Sequence, residues 1–264
     1  MYKNIIELED VCVINKGCYI LKDISLTIPK GRCCALIGPN GAGKSTLISV
    51  LAGYTYPSTG RVTIKNQTFG QADIRQLREN IGLIETSRIP TFRRDLTARE
   101  IIATGLFGTL MLPINKDVTP CQWEKVDAEL KAFQLDRIAG QNFNSLSTGE
   151  KTKTLIARAI IAEPEVLILD EPTAGLDMAA RAKAVKTIEE LLKRENCPTV
   201  MIVSHHLAEL PATVDDVILL KNGQILTKGK PEVIFTSENL SKLYNCQIKI
   251  INDNGHYFSY VSNI

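Results

Sequence analysis

The run Gly38-Pro39-Asn40-Gly41-Ala42-Gly43-Lys44-Ser45-Thr46 fits the pattern G-x-x-x-x-G-K-[ST]. These residue types suit one task, holding a chain of phosphates. The glycines let backbone N–H groups turn inward and approach phosphate oxygens closely. A helix that starts where they end offers its positive end to the same anion. Lys44 is long enough to reach the β- and γ-phosphates, and the Ser45 hydroxyl is a ligand for Mg²⁺. The flanks agree with that task. Residues 32–37 are a short apolar run that reads as a buried strand, and residues 44–52 read as a helix. A mere glycine turn is the bland alternative, and the strand–loop–helix context argues against it.

A second constellation is Val166-Leu167-Ile168-Leu169-Asp170-Glu171. A carboxylate at the end of a buried strand can hold Mg²⁺ directly or through water, a role that suits Asp170. Glu171, one residue on, is placed to act as general base on an attacking water. Taken alone, an apolar strand ending in two acids reads equally well as a strand reaching the surface. Its pairing with a phosphate loop favours the chemical reading. Leu146-Ser147-Thr148-Gly149-Glu150 precedes a helix. Ser147 and Gly149 there can cap the helix and present N–H groups to an anion, although an ordinary capped helix explains the segment as well. His205 taken alone reads as a satisfied histidine.

These groups need elements to position them. Residues 5–14 and 20–28 carry strand patterns around a turn at Asn15-Lys16-Gly17, and residues 61–69 form another edge strand. Residues 90–160 are helix-rich and look like an insertion between two parts of an α/β core. A helix at 178–194, a strand at 199–203 and a short helix at 206–211 follow. Residues 216–220 and 224–227 flank Asn222-Gly223, a strong hairpin turn. A short helix near 237–244 and strands at 247–251 and 256–261 close the chain. Strands alternating with helices imply a mostly parallel sheet, and ligands of such sheets bind beyond the carboxyl ends of strands. Both sharp motifs start at such ends.

Bulk properties exclude several classes. The 264 residues are 44% hydrophobic and 23% charged, an ordinary globular composition. A formal net charge of +2 gives no electrostatic case for nucleic acid as a partner. Seven cysteines with no C-x-x-C pair indicate neither a disulfide framework nor a zinc site, but reduced thiols in a cytosolic protein. The first residues carry acids where a secretory leader needs an apolar run. No window approaches the ~20 apolar residues of a membrane span, so a protein of this kind working at a membrane takes its spans from another chain.

Residues 38–46, 146–150 and 166–171, Ala174-Gly175-Leu176-Asp177 and Ser204-His205 together resemble, in order and spacing, the nucleotide-binding domain of ABC ATPases. The resemblance reaches to about residue 235. It implies a P-loop NTPase of α/β class: a mostly parallel sheet core, an antiparallel β subdomain and a helical subdomain at about 90–160. Residues 1–240 then form the ATPase domain and 241–264 a short C-terminal extension. The implied cofactors are ATP and Mg²⁺. Residues 38–46 and the signature Ser147, Thr148, Gly149 and Glu150 bind ATP. Ser45 and Asp170 hold the metal, and Glu171 and His205 are catalytic. Such domains pair head to tail, so the signature of one copy faces the γ-phosphate of the other and Asp177 lies at the dimer seam. The partner is a second copy or a related ATPase subunit.

Two departures bear on function. Ile81-Gly82-Leu83-Ile84-Glu85-Thr86 places Thr86 where the family has a glutamine that touches Mg²⁺ and the membrane partner. The aromatic residue that stacks on adenine is expected near Asn15, and the nearest tyrosine, Tyr19, is out of register. Thr86 and residues 95–110 resemble the soluble ABC ATPases related to molybdate-transport and iron-siderophore ATPases, some of which lack an obvious membrane partner. The leading expectation is a subunit that energises a membrane permease from the cytoplasm, peripheral on the inner face of the membrane. A stand-alone soluble ATPase acting on a cytosolic partner is the second, and an ATP-binding module with little turnover the third.

Overall fold

The stretch Cys33-Cys34-Ala35-Leu36-Ile37 has no polar residue to turn toward water. Such a strand is stable only where both of its faces are covered. The computed structural model, which describes residues 4–71, 73–85, 95–113 and 117–263, places it in the middle of a six-stranded sheet.

In chain order the elements are β1 (Asn4–Asn15), β2 (Cys18–Pro29), β3 (Cys33–Ile37), α1 (Lys44–Leu51), β4 (Thr59–Ile64), β5 (Gln67–Thr68), α2 (Ile74–Glu79) and β6 (Ile81–Glu85). The helical segment holds α3 (Ala98–Thr104), α4 (Pro120–Ala132) and α5 (Thr148–Ile160). Then come β7 (Val166–Asp170), α6 (Met178–Leu192), β8 (Thr199–Ser204), β9 (Asp216–Lys221) and β10 (Gln224–Gly229). The chain closes with α7 (Pro231–Ile234), α8 (Ser237–Tyr244), β11 (Gln247–Asp253) and β12 (His256–Asn263).

The large sheet runs β10-β9-β3-β8-β7-β6, parallel throughout except for β10 at one edge. Side chains alternate between faces along each strand. Ala35, Ile37, Leu167, Leu169, Val200 and Ile202 therefore face one core with α3, α5 and α6. Cys34, Leu36, Ile168, Met201 and Val203 face the other, filled by Leu47, Ile48 and Leu51 of α1 and by apolar residues of the antiparallel sheet β2-β1-β4-β5. The architecture is the one expected: a mostly parallel core, an antiparallel β part and a helical segment.

Local differences from the sequence reading have physical causes. The strand expected over 61–69 is a hairpin, β4 and β5, because Lys65 and Asn66 both take left-handed backbone (φ 50° and 59°). Two central residues of that kind make a tight two-residue turn. The helix expected over 206–211 is a single 3₁₀ turn, Leu207–Glu209. Pro211 disfavours helical backbone at Leu210, which is extended (φ −88°, ψ 138°).

Helix starts are well specified. Thr97, Thr119 and Ser147 each make a reciprocal capping box with the residue three positions on, and Pro120 opens α4. Arg99 ties α3 to α4, bonding Asp127 through Nε at 2.6 Å and lying 4.0 Å over the Trp123 ring. The last segment does not hang free. Ile248 is buried in the core, and the rings of Phe235 and Tyr257 pack at a 57° tilt with centroids 4.8 Å apart. All seven cysteines carry free thiols, and burial pushes those of Cys33 and Cys34 well up from the ordinary value. Among the described residues no helix is long and apolar enough to cross a membrane.

Candidate active site

The carboxyl ends of β3, β7 and β8 gather the sharp motifs at one edge of the parallel sheet. The loop after β3 starts at Gly38, where an added Cβ would stand 2.3 Å from the carbonyl oxygen of Leu220. It ends at Gly43, whose φ of +102° and nearness to Leu21 and the Ile20 carbonyl exclude a side chain. Gly43 is also the residue before α1, and it supplies no side-chain cap. The first N–H groups of α1 therefore lack the side-chain acceptor that α3, α4, α5 and α6 each have.

Lys44 is buried, and its Nζ donates to the carbonyls of Gly38 (2.8 Å) and Pro39 (3.1 Å). Burial lowers its pKa, while the nearby carboxylates of Glu171 and Asp170 oppose that shift. Both acids are thus within electrostatic reach of the loop's lysine. Ser45 follows, exposed, in the first turn of α1.

Asp170 is the last residue of β7, and its register partner on β6 is Glu85. Glu171 leaves the strand with φ +49°, a backbone that L-residues rarely adopt. Its N–H donates to the Val203 carbonyl at 2.8 Å, which fixes the turn to β8. That turn carries the Glu171 carboxylate to His205, with Oε1 and Nδ1 2.8 Å apart. Both side chains keep partial access to solvent. The sequence reading set Glu171 and His205 together, and the structure brings them into hydrogen-bond contact.

Ser147 and Glu150 satisfy each other at the start of α5. The Ser147 hydroxyl donates to Glu150 Oε2 at 2.6 Å, and the bonds from Ser147 hold that carboxyl below its usual range. Asp177 caps α6, accepting from the Ala180 N–H at 2.8 Å. Ser147, Gly149, Glu150 and Asp177 line one surface cleft between the starts of α5 and α6. Among the described residues no hydrogen bond or ion pair joins this cleft to residues 38–46 of the same chain. Thr86 lies outside the described residues. Tyr19 is exposed on β2, one residue before the Ile20 that packs against Gly43.

A network behind His205 has no counterpart in the sequence reading. Glu209 is only 3% exposed. Its Oε2 accepts from the Ser204 hydroxyl at 2.7 Å, and its Oε1 stands 3.6 Å from Arg181 Nε on α6. On the opposite side the Tyr244 hydroxyl donates to the His205 carbonyl at 3.0 Å. Neither residue had a legible signal. Glu209 sits in the short run Leu207-Ala208-Glu209-Leu210, and Tyr244 follows Leu240 and Leu243 on the apolar face of a short helix.

A parallel sheet with a glycine-lined helix start beyond one strand and an acid pair beyond a nearby one defines a phosphate-loop nucleotide hydrolase. Residues 21–174 match the family described as ABC transporter. The chain is 31% identical over 254 residues to an uncharacterized ABC transporter ATP-binding protein of Lactococcus lactis, covering 96% of this chain and 97% of that one. It is 30% identical over 259 residues to a petrobactin import ATP-binding protein of Bacillus subtilis, covering 96% of this chain and all of that one. Among solved structures it is similar to an ATP-binding cassette whose dimer holds ADP and Pi, at 26% identity and a TM-score of 0.72, over 85% of this chain and 98% of that one. The chain belongs to the ABC transporter family and is its ATP-binding, ATP-hydrolysing subunit.

Proposed function

We propose that two copies of this chain, or this chain and a related subunit, close head to tail around two ATP molecules and drive a membrane permease. The observation that carries the hydrolytic part is the 2.8 Å contact between Glu171 and His205 beside a phosphate loop. In this reading the N–H groups of residues 38–46 and the Lys44 ammonium hold the β- and γ-phosphates. Lys44 exchanges its bonds to Gly38 and Pro39 for phosphate oxygens. Glu171 takes the proton of the attacking water, and His205 orients both the water and the γ-phosphate.

The donor set fits Mg²⁺. The Ser45 hydroxyl and the Asp170 carboxylate are hard oxygen ligands, and Asp170 lies close enough to act on Lys44. Bound there, the ion would neutralise charge on the β- and γ-phosphates.

The cleft formed by Ser147, Gly149 and Asp177 takes no part in its own chain's loop, which supports a role across a dimer seam. The dimeric cassette among the structural relatives supports the same arrangement. Tyr19, exposed one residue before the Ile20 whose carbonyl stands near Gly43, is the aromatic candidate to lie on adenine despite its register. Relatives named as import and transporter ATP-binding proteins favour a permease partner, and hence a peripheral place on the inner membrane face. The cargo class closest to those names is a metal chelate of the siderophore kind.

Co-purification of the tagged Glu171→Gln chain from membranes with Mg²⁺ and ATP tests the coupling. A stoichiometric chain with multiple membrane spans is the expected result. A homodimer alone, or a soluble partner alone, would contradict the transporter reading and favour a stand-alone ATPase, with Thr86 in place of glutamine as the reason.

A further inference from the structure

The Glu171–His205 contact depends on how the backbone at residue 205 is held. His205 lies just beyond β8, outside the strand ladder. Its carbonyl accepts from one group among the described residues, the Tyr244 hydroxyl at 3.0 Å. Tyr244 is half-buried at the end of α8, and burial pushes its hydroxyl pKa up to about 12, so it stays a donor at physiological pH.

The rest of the C-terminal segment holds that tyrosine in place. Asn245 ends α8 in left-handed backbone (φ 56°). Lys221 Nζ, at the end of β9, bonds the Lys242 carbonyl and reaches Asn245 Oδ1 at 2.6 Å. Ile248 N–H donates to the Ser241 hydroxyl at 2.9 Å, which docks β11 on α8. β12 lies against the Leu207–Glu209 turn that follows the histidine. The histidine loop is thus held from two sides: by Glu209 and Ser204 toward α6, and by Tyr244 toward the C-terminal segment.

We propose that Tyr244, acting through the His205 carbonyl, is a positioning residue for hydrolysis, so that the C-terminal segment helps set the turnover of the nucleotide site. The inference rests on the reading of His205 as the residue facing the γ-phosphate. Among the described residues the Tyr244 hydroxyl bonds the His205 backbone and no residue of 38–46. Its effect is confined to the orientation of the imidazole, and ATP binding at residues 38–46 does not depend on it.

The test is a double-mutant cycle in the full chain with Mg²⁺ and varied ATP, read by steady-state release of labelled phosphate, so that slow residual rates are resolved. Tyr244→Phe keeps the ring and its packing and removes only the hydroxyl. Loss of one ordinary hydrogen bond predicts a kcat lower by about threefold to tenfold with an unchanged KM for ATP. In the His205→Ala background the same change should have no further effect, because the group it positions is gone. Parent kcat in Tyr244→Phe overturns the inference and leaves the reading of His205 standing. Equal slowing in both backgrounds also overturns it, since the effect then bypasses the histidine. Parent turnover in His205→Ala alone overturns the underlying reading instead, and the inference with it.

Discussion

Glu171 combines a carboxylate bonded to His205 with a backbone that L-residues avoid, so its removal should expose the strain directly. At φ +49° a residue with a Cβ is disfavoured by about 1–2 kcal/mol relative to the right-handed region. Glycine escapes that penalty but loses about 0.5–1 kcal/mol through the freedom of the unfolded chain. Glu171→Gly and Glu171→Ala both lose the bond to His205, so that loss cancels in their comparison. The difference left is about 0.5–1 kcal/mol in favour of glycine, the reverse of the usual order in regular structure. For a chain of this size it amounts to a thermal midpoint roughly 1–4 °C higher for the glycine variant. Differential scanning fluorimetry and urea unfolding of the two proteins without nucleotide measure it. An alanine variant as stable as the glycine variant, or more so, would refute the argument that this position stores strain for function.

Three further outcomes follow from the geometry. Lys44→Ala removes a charged donor from the phosphate loop and should weaken ATP binding roughly tenfold to a hundredfold in a direct titration, with unchanged affinity contradicting the loop's assignment. Ser147→Ala breaks the capping box at α5, at a cost of about 1 kcal/mol in unfolding free energy. It should also slow turnover while leaving nucleotide affinity of the monomer intact, and equal effects on both would place Ser147 at its own chain's site. Glu165 bonds Lys30 at 2.7 Å and Lys65 at 3.1 Å, and the Lys30 hydrogen bond leads in holding its carboxyl below the usual value. A depressed folded pKa stabilises above the unfolded pKa near 4.5 and is lost as pH falls through the folded value. Glu165→Gln should therefore lose about 1 kcal/mol or less at pH 7, and the gap to the parent should narrow as pH falls below about 4.5 in urea titrations. A gap that persists there would assign the loss to packing.

Legibility in the sequence followed the range of the interactions. The phosphate loop was readable because residues 38–46 do their work within one strand–turn–helix unit, where glycine and lysine types are dictated locally. The apolar runs at β3, β7 and β8 were readable because strands covered on both faces have no polar alternation. Glu171 and His205 lie far apart in the chain, and only the family pattern joined them before the parallel pairing of β7 with β8 did. The Arg181–Glu209–Ser204 network and the Tyr244 contact arise where α6 and α8 dock near the end of β8. Docking of that kind leaves no periodicity to read. The two local misreadings came from short-range details, Pro211 at the expected helix over 206–211 and the paired left-handed residues Lys65 and Asn66 within the expected strand over 61–69.

The central claim is ATP hydrolysis by Glu171 at a site completed across a dimer. Glu171→Gln, purified with Mg²⁺ and ATP, tests it when turnover and molecular mass are measured on the same sample. The account predicts retained ATP binding, turnover slowed by about a hundredfold or more, and a dimer that forms with ATP and is absent without it. Hydrolysis at the parent rate, or a monomer that turns ATP over alone, would contradict it.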